Sequence, residues 1–203
     1  MRWLPLAGVL AMLAIVFLWR PWLQRRKYGE HGILLFRSGA AQQLRDALAV
    51  ALFALLLAQS LIAALAPESL PLAQADRRAP AALRHALGAL LMLAGLVLLV
   101  TAQLQLGASW RIGIDEPARS GLVTSGVYAL SRNPIFLALL IIVAGYALLI
   151  PTVLSAALLA GTYIGIRLQI AAEEAYLVRA YGDPYRAYAR RVGRLVPGIG
   201  RRP

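Results

Sequence analysis

The sequence predicts an all-α, multi-pass membrane bundle of about five transmembrane helices, closed by a cytoplasmic amphipathic helical tail. Three observations carry that expectation. The 203 residues are 60% hydrophobic and only 15% charged, whereas in a soluble domain about half are apolar and about a quarter charged. The apolar residues gather in runs of membrane-crossing length. The basic residues sit between those runs, so the net charge of +12 reads as membrane topology, and no nucleic-acid partner is expected. The chain has no cysteine, which removes disulfides and thiolate metal sites.

The elements follow in order. Trp3 to Trp19 and Ala47 to Ala66 hold no charge, and Ala86 to Leu106 is interrupted only by Thr101, Gln103 and Gln105. Each run approaches the ~20 residues that cross ~30 Å of hydrocarbon. The first run follows Arg2, as a signal peptide would. No small-x-small cleavage site follows it, however, and Trp19-Arg20-Pro21-Trp22 reads as an interfacial anchor. The fourth run, Ile135 to Ile170, would be about 54 Å long as one helix, too long for one crossing. Pro151 near its middle predicts two short antiparallel helices joined by a tight turn. Residues 1–106 thus carry three membrane helices with their loops. Residues 107–203 carry a cytoplasmic loop, a helical hairpin over 135–170 and the tail.

With five crossings, segments 20–46, 107–134 and 167 onward share one side. They hold six, three and eight basic residues, seventeen of the twenty-one. Basic residues stay cytoplasmic, so the C-terminus is expected inside and the N-terminus outside. One lysine against twenty arginines, with abundant Ala and Leu, suggests a bacterial inner-membrane protein. In the last membrane helix Ala157, Gly161 and Gly165 recur every fourth residue, a spacing that suits close helix packing within one chain or in a homodimer.

The chemistry-bearing candidates fall on the inner side. Trp110, Arg111, Asp115, Glu116 and Tyr128 precede Ser131-Arg132-Asn133-Pro134, in which Asn133 is expected as N-cap and Pro134 as first helical residue. Beyond the hairpin, Glu173 and Glu174 have no basic residue three or four positions away. They therefore require a distant partner, water or a cationic ligand. Gly182-Asp183-Pro184 reads as a helix stop and restart, after which Tyr181, Tyr185, Tyr188 and Val192 share one face of a helix expected at the anionic inner leaflet. Dinucleotide and P-loop fingerprints are absent. His31 and His85 are isolated, so no metal is expected.

"LVTSGVYALSRNPIF", an apolar hairpin, "EEAYLVRAYGDPYRAYARRV" and Pro197 together resemble the isoprenylcysteine carboxyl methyltransferase family, itself similar to the phospholipid N-methyltransferases. The resemblance covers roughly 107–197 and rests on Gly126, Tyr128, Arg132, Pro134, Glu173, Glu174, Leu177, Gly182, Tyr185 and Tyr188. It implies S-adenosylmethionine as cofactor and a lipophilic or lipid acceptor methylated at the cytoplasmic membrane face. By position, Ser120, Gly121, Leu122, Val123, Tyr128, Asn133, Pro134, Ile135 and Phe136 would line the cofactor and Glu173 would contact it. Arg132 and Glu174 would be catalytic, the first toward an anionic group and the second as proton acceptor for an amine. The acceptor side is marked by Gln169, where the eukaryotic relatives place an arginine. Arg167 lies two residues off, about 200° around a helix. The family histidine and tyrosine of the corner are Asn133 and Phe136 here. With a neutral Gln169, a carboxylate acceptor is expected to bind poorly. The competing readings are a sterol-reductase-like membrane enzyme using NADPH and a non-catalytic membrane protein that keeps the fold.

Overall fold

The computed structural model describes residues 2–29, 32–37, 39–70, 80–110, 112 and 121–201. Five apolar helices and a short tail helix make up its framework. Helix α1 runs Leu4–Tyr28, α2 Ala40–Leu65 and α3 Ala81–Leu106. Helix α4 is Pro134–Leu149, α5 Val153–Tyr181 and the tail helix α6 Asp183–Arg191. Four of them are long and apolar enough to cross a membrane, and α4, at 16 residues, is shorter. At 1.5 Å per residue it spans about 24 Å, less than the ~30 Å of hydrocarbon. Its partner α5 continues past Ile170 to Tyr181, so the hairpin has one long arm, not two short ones. The apolar runs underestimate the helices because a charged residue ends hydrophobicity without ending a helix.

Local chemistry sets the boundaries. Pro21 has no N–H to give the Phe17 carbonyl, and the preceding turn widens into a π segment, Ile15–Trp19, in which the Arg20 N–H meets the Ile15 carbonyl. Gly29, at φ +78°, closes α1 on the Arg25 carbonyl. Asn133 does precede α4 with Pro134 at its first turn, but its side chain makes no cap. Its amide donates instead to the Arg194 carbonyl (2.9 Å). Thr152, not Pro151, starts α5, accepting the Ser155 N–H at 3.0 Å. Gly182, at φ +58°, separates α5 from α6.

One apolar core joins the helices through Val9, Met12, Leu56, Leu99, Ile142 and Leu158. The closest approach is between α3 and α4. A Cβ on Gly88 would lie 2.9 Å from the Gly145 carbonyl oxygen, and one on Gly145 2.6 Å from that of Gly88. These glycines let the two backbones touch. The stripe Ala157, Gly161, Gly165 does not serve that purpose within the chain: Ala157 is exposed and a Cβ on Gly165 would meet nothing within 4 Å. A buried polar knot ties α2, α4 and the turn before α5. Gln59 donates to Thr152 Oγ1 (2.6 Å), while its Oε1 accepts from Tyr146 (2.9 Å) and Ser155 (3.2 Å).

The tail helix turns its aromatic face inward, as packing. Tyr185, Tyr188 and Ala189 are buried, packed with Val192 against Leu122, Leu177, Val178 and Tyr181. In this way α6 fixes the segment 121–133 against α5.

Candidate functional site

At the end of the bundle that carries most of the basic residues, Arg132 is drawn inward and joins three parts of the chain. Its Nε and Nη2 donate to Glu174 Oε1 on α5 (3.1 and 2.6 Å). Its Nη1 donates to the carbonyls of Ala189 (2.9 Å) and Val192, and Nη2 also reaches the Gly200 carbonyl (3.1 Å). The other oxygen of Glu174 accepts from Arg194 Nη2 at 2.7 Å. Both side chains of the Arg132–Glu174 pair are 1% exposed. Backbone pairing continues the clasp, with the Arg132 N–H on the Gly193 carbonyl (2.9 Å). The Tyr188 hydroxyl donates to the Tyr128 carbonyl at 2.6 Å.

This geometry revises two expectations. Glu174 does find the distant partner its sequence context requires, in two arginines 42 and 20 residues away. A carboxylate held by two guanidiniums is a poor proton acceptor, and Glu174 does not line the cavity described next. Arg132 does line it, but its donors are taken up by Glu174 and three carbonyls. The pair is therefore placed to hold the corner together, and the catalytic roles foreseen for it lack free atoms.

Beside the clasp opens a cavity of about 560 Å³. It gathers Gly121, Leu122, Val123, Tyr128, Asn133, Pro134, Ile135, Phe136, Gln169 and Glu173 onto one surface. Among the cofactor and acceptor candidates, Ser120 lies outside the described residues, as do Arg111, Asp115 and Glu116. Arg167 does not line the cavity. It is exposed, with its guanidinium 5.9 Å from the Tyr163 ring and hydrogen-bonded to its hydroxyl. Adjacent acids thus divide, because successive residues on a helix point about 100° apart: Glu174 faces the clasp and Glu173 the cavity.

Tyr128 is buried and its hydroxyl donates to the Ala102 carbonyl at 3.3 Å. Burial, followed by the nearby charge of Glu173, pushes its pKa far above the ordinary 10. The phenol stays neutral and serves as an aromatic wall. From the cavity's far end, Leu52, Phe53, Gly161 and Gly165 carry an apolar groove between α2 and α5. The lining residues Val50 and Ile164 are 44% and 58% exposed on the outer surface of the bundle. One space therefore joins a polar end to a side opening.

Sequence reasoning missed the contributions of α1, α2 and α3. Arg45 and Asp46 of α2 line the cavity, as does Gln103 of α3, whose Oε1 is buried without a hydrogen-bond partner among the described residues. Buried Arg20, expected at the interface, donates to the Gln103 and Gly107 carbonyls (3.2 and 2.6 Å) at the end of α3. Its guanidinium stacks 4.7 Å from the centre of the Trp110 ring, satisfying carbonyls that a helix end leaves free. The available signal was polarity at the edge of an apolar run, Asp46 and Gln103 above all, since such residues rarely enter a membrane helix without a function.

Comparison with known proteins agrees with this arrangement. The chain matches a solved structure of the eukaryotic intramembrane Ras methyltransferase, isoprenylcysteine carboxyl methyltransferase, with a TM-score of 0.63 at 21% identity. The match covers 95% of this chain and 64% of that one; it shows a shared fold. No curated protein matches the chain. The family model for phospholipid methyltransferases matches residues 83–184, half of the sequence, from the start of α3 through the corner, the hairpin and the paired glutamates. This chain is an integral membrane protein of the phospholipid methyltransferase family.

Proposed function

We propose that the protein transfers a methyl group from S-adenosylmethionine to a lipophilic acceptor at the cytoplasmic face of the membrane. The observation that carries this reading is one continuous cavity, polar beside Tyr128 and Glu173 and apolar where it opens between α2 and α5. A water-soluble cation and a membrane-soluble molecule can meet there from opposite sides.

The residues present suit such a cofactor. Gly121, Leu122 and Val123 offer backbone and apolar surface, Tyr128 an aromatic face for a cation, and Glu173 a carboxylate for an ammonium or for hydroxyls. Gln103 Oε1 is an acceptor inside the cavity wall with no partner among the described residues, which suits a ligand N–H or O–H. Bound there, S-adenosylmethionine would supply a methyl already activated by its sulfonium. The protein then has to align donor and acceptor and exclude water. Pro134, Ile135 and Phe136, at the start of α4, supply a rigid apolar wall for that alignment. An acceptor oxygen that is already anionic needs no base. An acceptor that must lose a proton would find Glu173 in the cavity, since Glu174 is bound to two arginines.

The test is calorimetric titration of purified protein in lipid nanodiscs with S-adenosylmethionine and, separately, NADPH, followed by transfer of a labelled methyl group into total lipid extract. Saturable binding of the first ligand alone, with label entering the lipid fraction, is expected. Binding of NADPH alone, or of neither, would refute the proposal.

A further inference from the structure

The acceptor side of the cavity holds a cation that α5 does not supply. Arg45 projects from α2 between two glutamines. Its Nε donates to Gln169 Oε1 (3.1 Å) and its Nη2 to Gln42 Oε1 (2.7 Å). Each amide then turns its nitrogen to a carboxylate, Gln169 to Glu173 (2.9 Å) and Gln42 to Asp46 (2.7 Å). This settles which way the amides point, because flipping either would set N–H groups against the guanidinium. The other Asp46 oxygen accepts the Phe36 N–H at 2.8 Å.

The row therefore reads Asp46, Gln42, Arg45, Gln169, Glu173, with neutral amides spacing the charges. Among the described residues Arg45 makes no ion pair, and its Nη1 has no hydrogen bond. Arg132, also lining the cavity, has its donors committed to Glu174 and to three backbone carbonyls. A guanidinium whose hydrogen bonds go to neutral oxygens shares its charge with Glu173 only across an amide and presents its remaining donors in a fixed fork.

We propose that Arg45 determines acceptor specificity by taking an anionic group of the lipophilic acceptor, a carboxylate or a phosphate, and that Gln169 positions it. This rests on the methyl-transfer reading of the cavity. It reverses the expectation drawn from Gln169 alone: the charge comes from α2, and the glutamine holds it in place. The apolar remainder of the acceptor lies in the groove along Gly161 and Gly165, where a Cβ on Gly165 would meet open space.

The experiment uses the whole protein in nanodiscs of zwitterionic lipid, with three probes: N-acetyl-S-farnesylcysteine, its neutral amide, and farnesyl phosphate. Binding of each is measured in the unaltered protein and in R45Q, R45K and Q169A. S-adenosylmethionine affinity is measured alongside. The unaltered protein should bind at least one anionic probe about ten-fold or more tighter than the amide, the scale of a charged hydrogen bond. R45Q should remove that preference while S-adenosylmethionine still binds within about two-fold. R45K should restore part of it, and Q169A should weaken it several-fold by freeing the guanidinium. Whichever anion loses affinity in R45Q identifies the group. Equal binding of amide and anions by the unaltered protein, or an undiminished preference in R45Q, would overturn the inference. Absence of S-adenosylmethionine binding in the unaltered protein would instead sink the methyl-transfer reading.

Discussion

Replacing Arg132 by alanine separates a clasp from a ligand. The side chain is 1% exposed and donates to Glu174 and to the carbonyls of Ala189, Val192 and Gly200. Its loss removes from the Glu174 carboxylate the guanidinium that holds Oε1, leaving Arg194 on Oε2, and strands three carbonyls of the tail. Removing one member of a buried pair costs about 3–5 kcal/mol. At roughly 2–4 °C per kcal/mol for a chain of this size, the midpoint should fall by about 6–20 °C. The measurement is thermal unfolding in a fixed detergent, followed by tyrosine and tryptophan fluorescence, beside limited proteolysis of the segment after residue 191. A double-mutant cycle makes it specific. Arg132→Ala and Glu174→Ala each remove the same contact, so the double variant should cost at least about 1 kcal/mol less than the two singles added. If Arg132→Ala keeps its midpoint and its protease resistance but loses S-adenosylmethionine affinity, the clasp argument fails and the arginine is a cofactor ligand.

Other consequences can be read with simpler assays. Glu173→Gln should weaken S-adenosylmethionine binding about ten-fold or more if the carboxylate meets a charged or hydroxyl group, while Glu174→Gln should act mainly on the unfolding midpoint. Gly145→Ala should destabilise by about 1–3 kcal/mol, since its new methyl would press on the Gly88 carbonyl; Gly165→Ala, facing open space, should be near neutral in the same melt. Burial raises the phenols of Tyr128 and Tyr188 well above their ordinary 10. Stability should therefore hold below pH 10 and fall above it, where the unfolded phenols ionise and the folded ones do not. Tyr128→Phe should flatten that fall in an alkaline titration of the midpoint. Cysteines placed at Ala40 and at the C-terminus should be protected from an impermeant thiol reagent in intact cells, and one at Glu68 should react; the opposite pattern would invert the proposed orientation.

The membrane helices were legible because hydrocarbon length is a strong filter. Runs of about twenty uncharged residues have few other uses; four runs were read, the fourth split at Pro151 to give five helices, and five apolar helices are found among the described residues. What remained hidden was long-range. Nothing near Glu174 in the chain names Arg132 or Arg194, because a helix restricts only its own third and fourth neighbours. Small-residue spacing was visible at Ala157, Gly161 and Gly165, but spacing does not say whether a second backbone or a void lies opposite. The touching glycines, 88 and 145, sit on different helices and share no local pattern. Arg45 was counted among the inner basic residues and given no further role, since the motif-bearing half of the chain begins after residue 106. A cavity wall can be supplied by a helix that carries no motif.

Why the sequence needs two adjacent acids follows from the same geometry. The segment from Gly121 to Asn133 has little regular structure of its own, only a short 3-10 turn over Gly126–Ala129, yet it supplies much of the cavity wall. An irregular segment keeps its shape only when its polar groups are held from outside. Glu174 does this at one remove: it fixes Arg132 and Arg194, and through their hydrogen bonds Arg132 holds the end of α6 while the Arg194 carbonyl holds Asn133. Glu173, one residue and about 100° away, is thereby left with a single donor from Gln169 among its described hydrogen bonds, and the rest of its capacity faces the cavity. A lone glutamate could hold the wall or face the ligand. Serving both would expose the buried arginines whenever the ligand left, and each turnover would then loosen the corner it depends on. Under the proposed function, placing two carboxylates on neighbouring faces of one rigid helix separates the permanent bond from the exchangeable one.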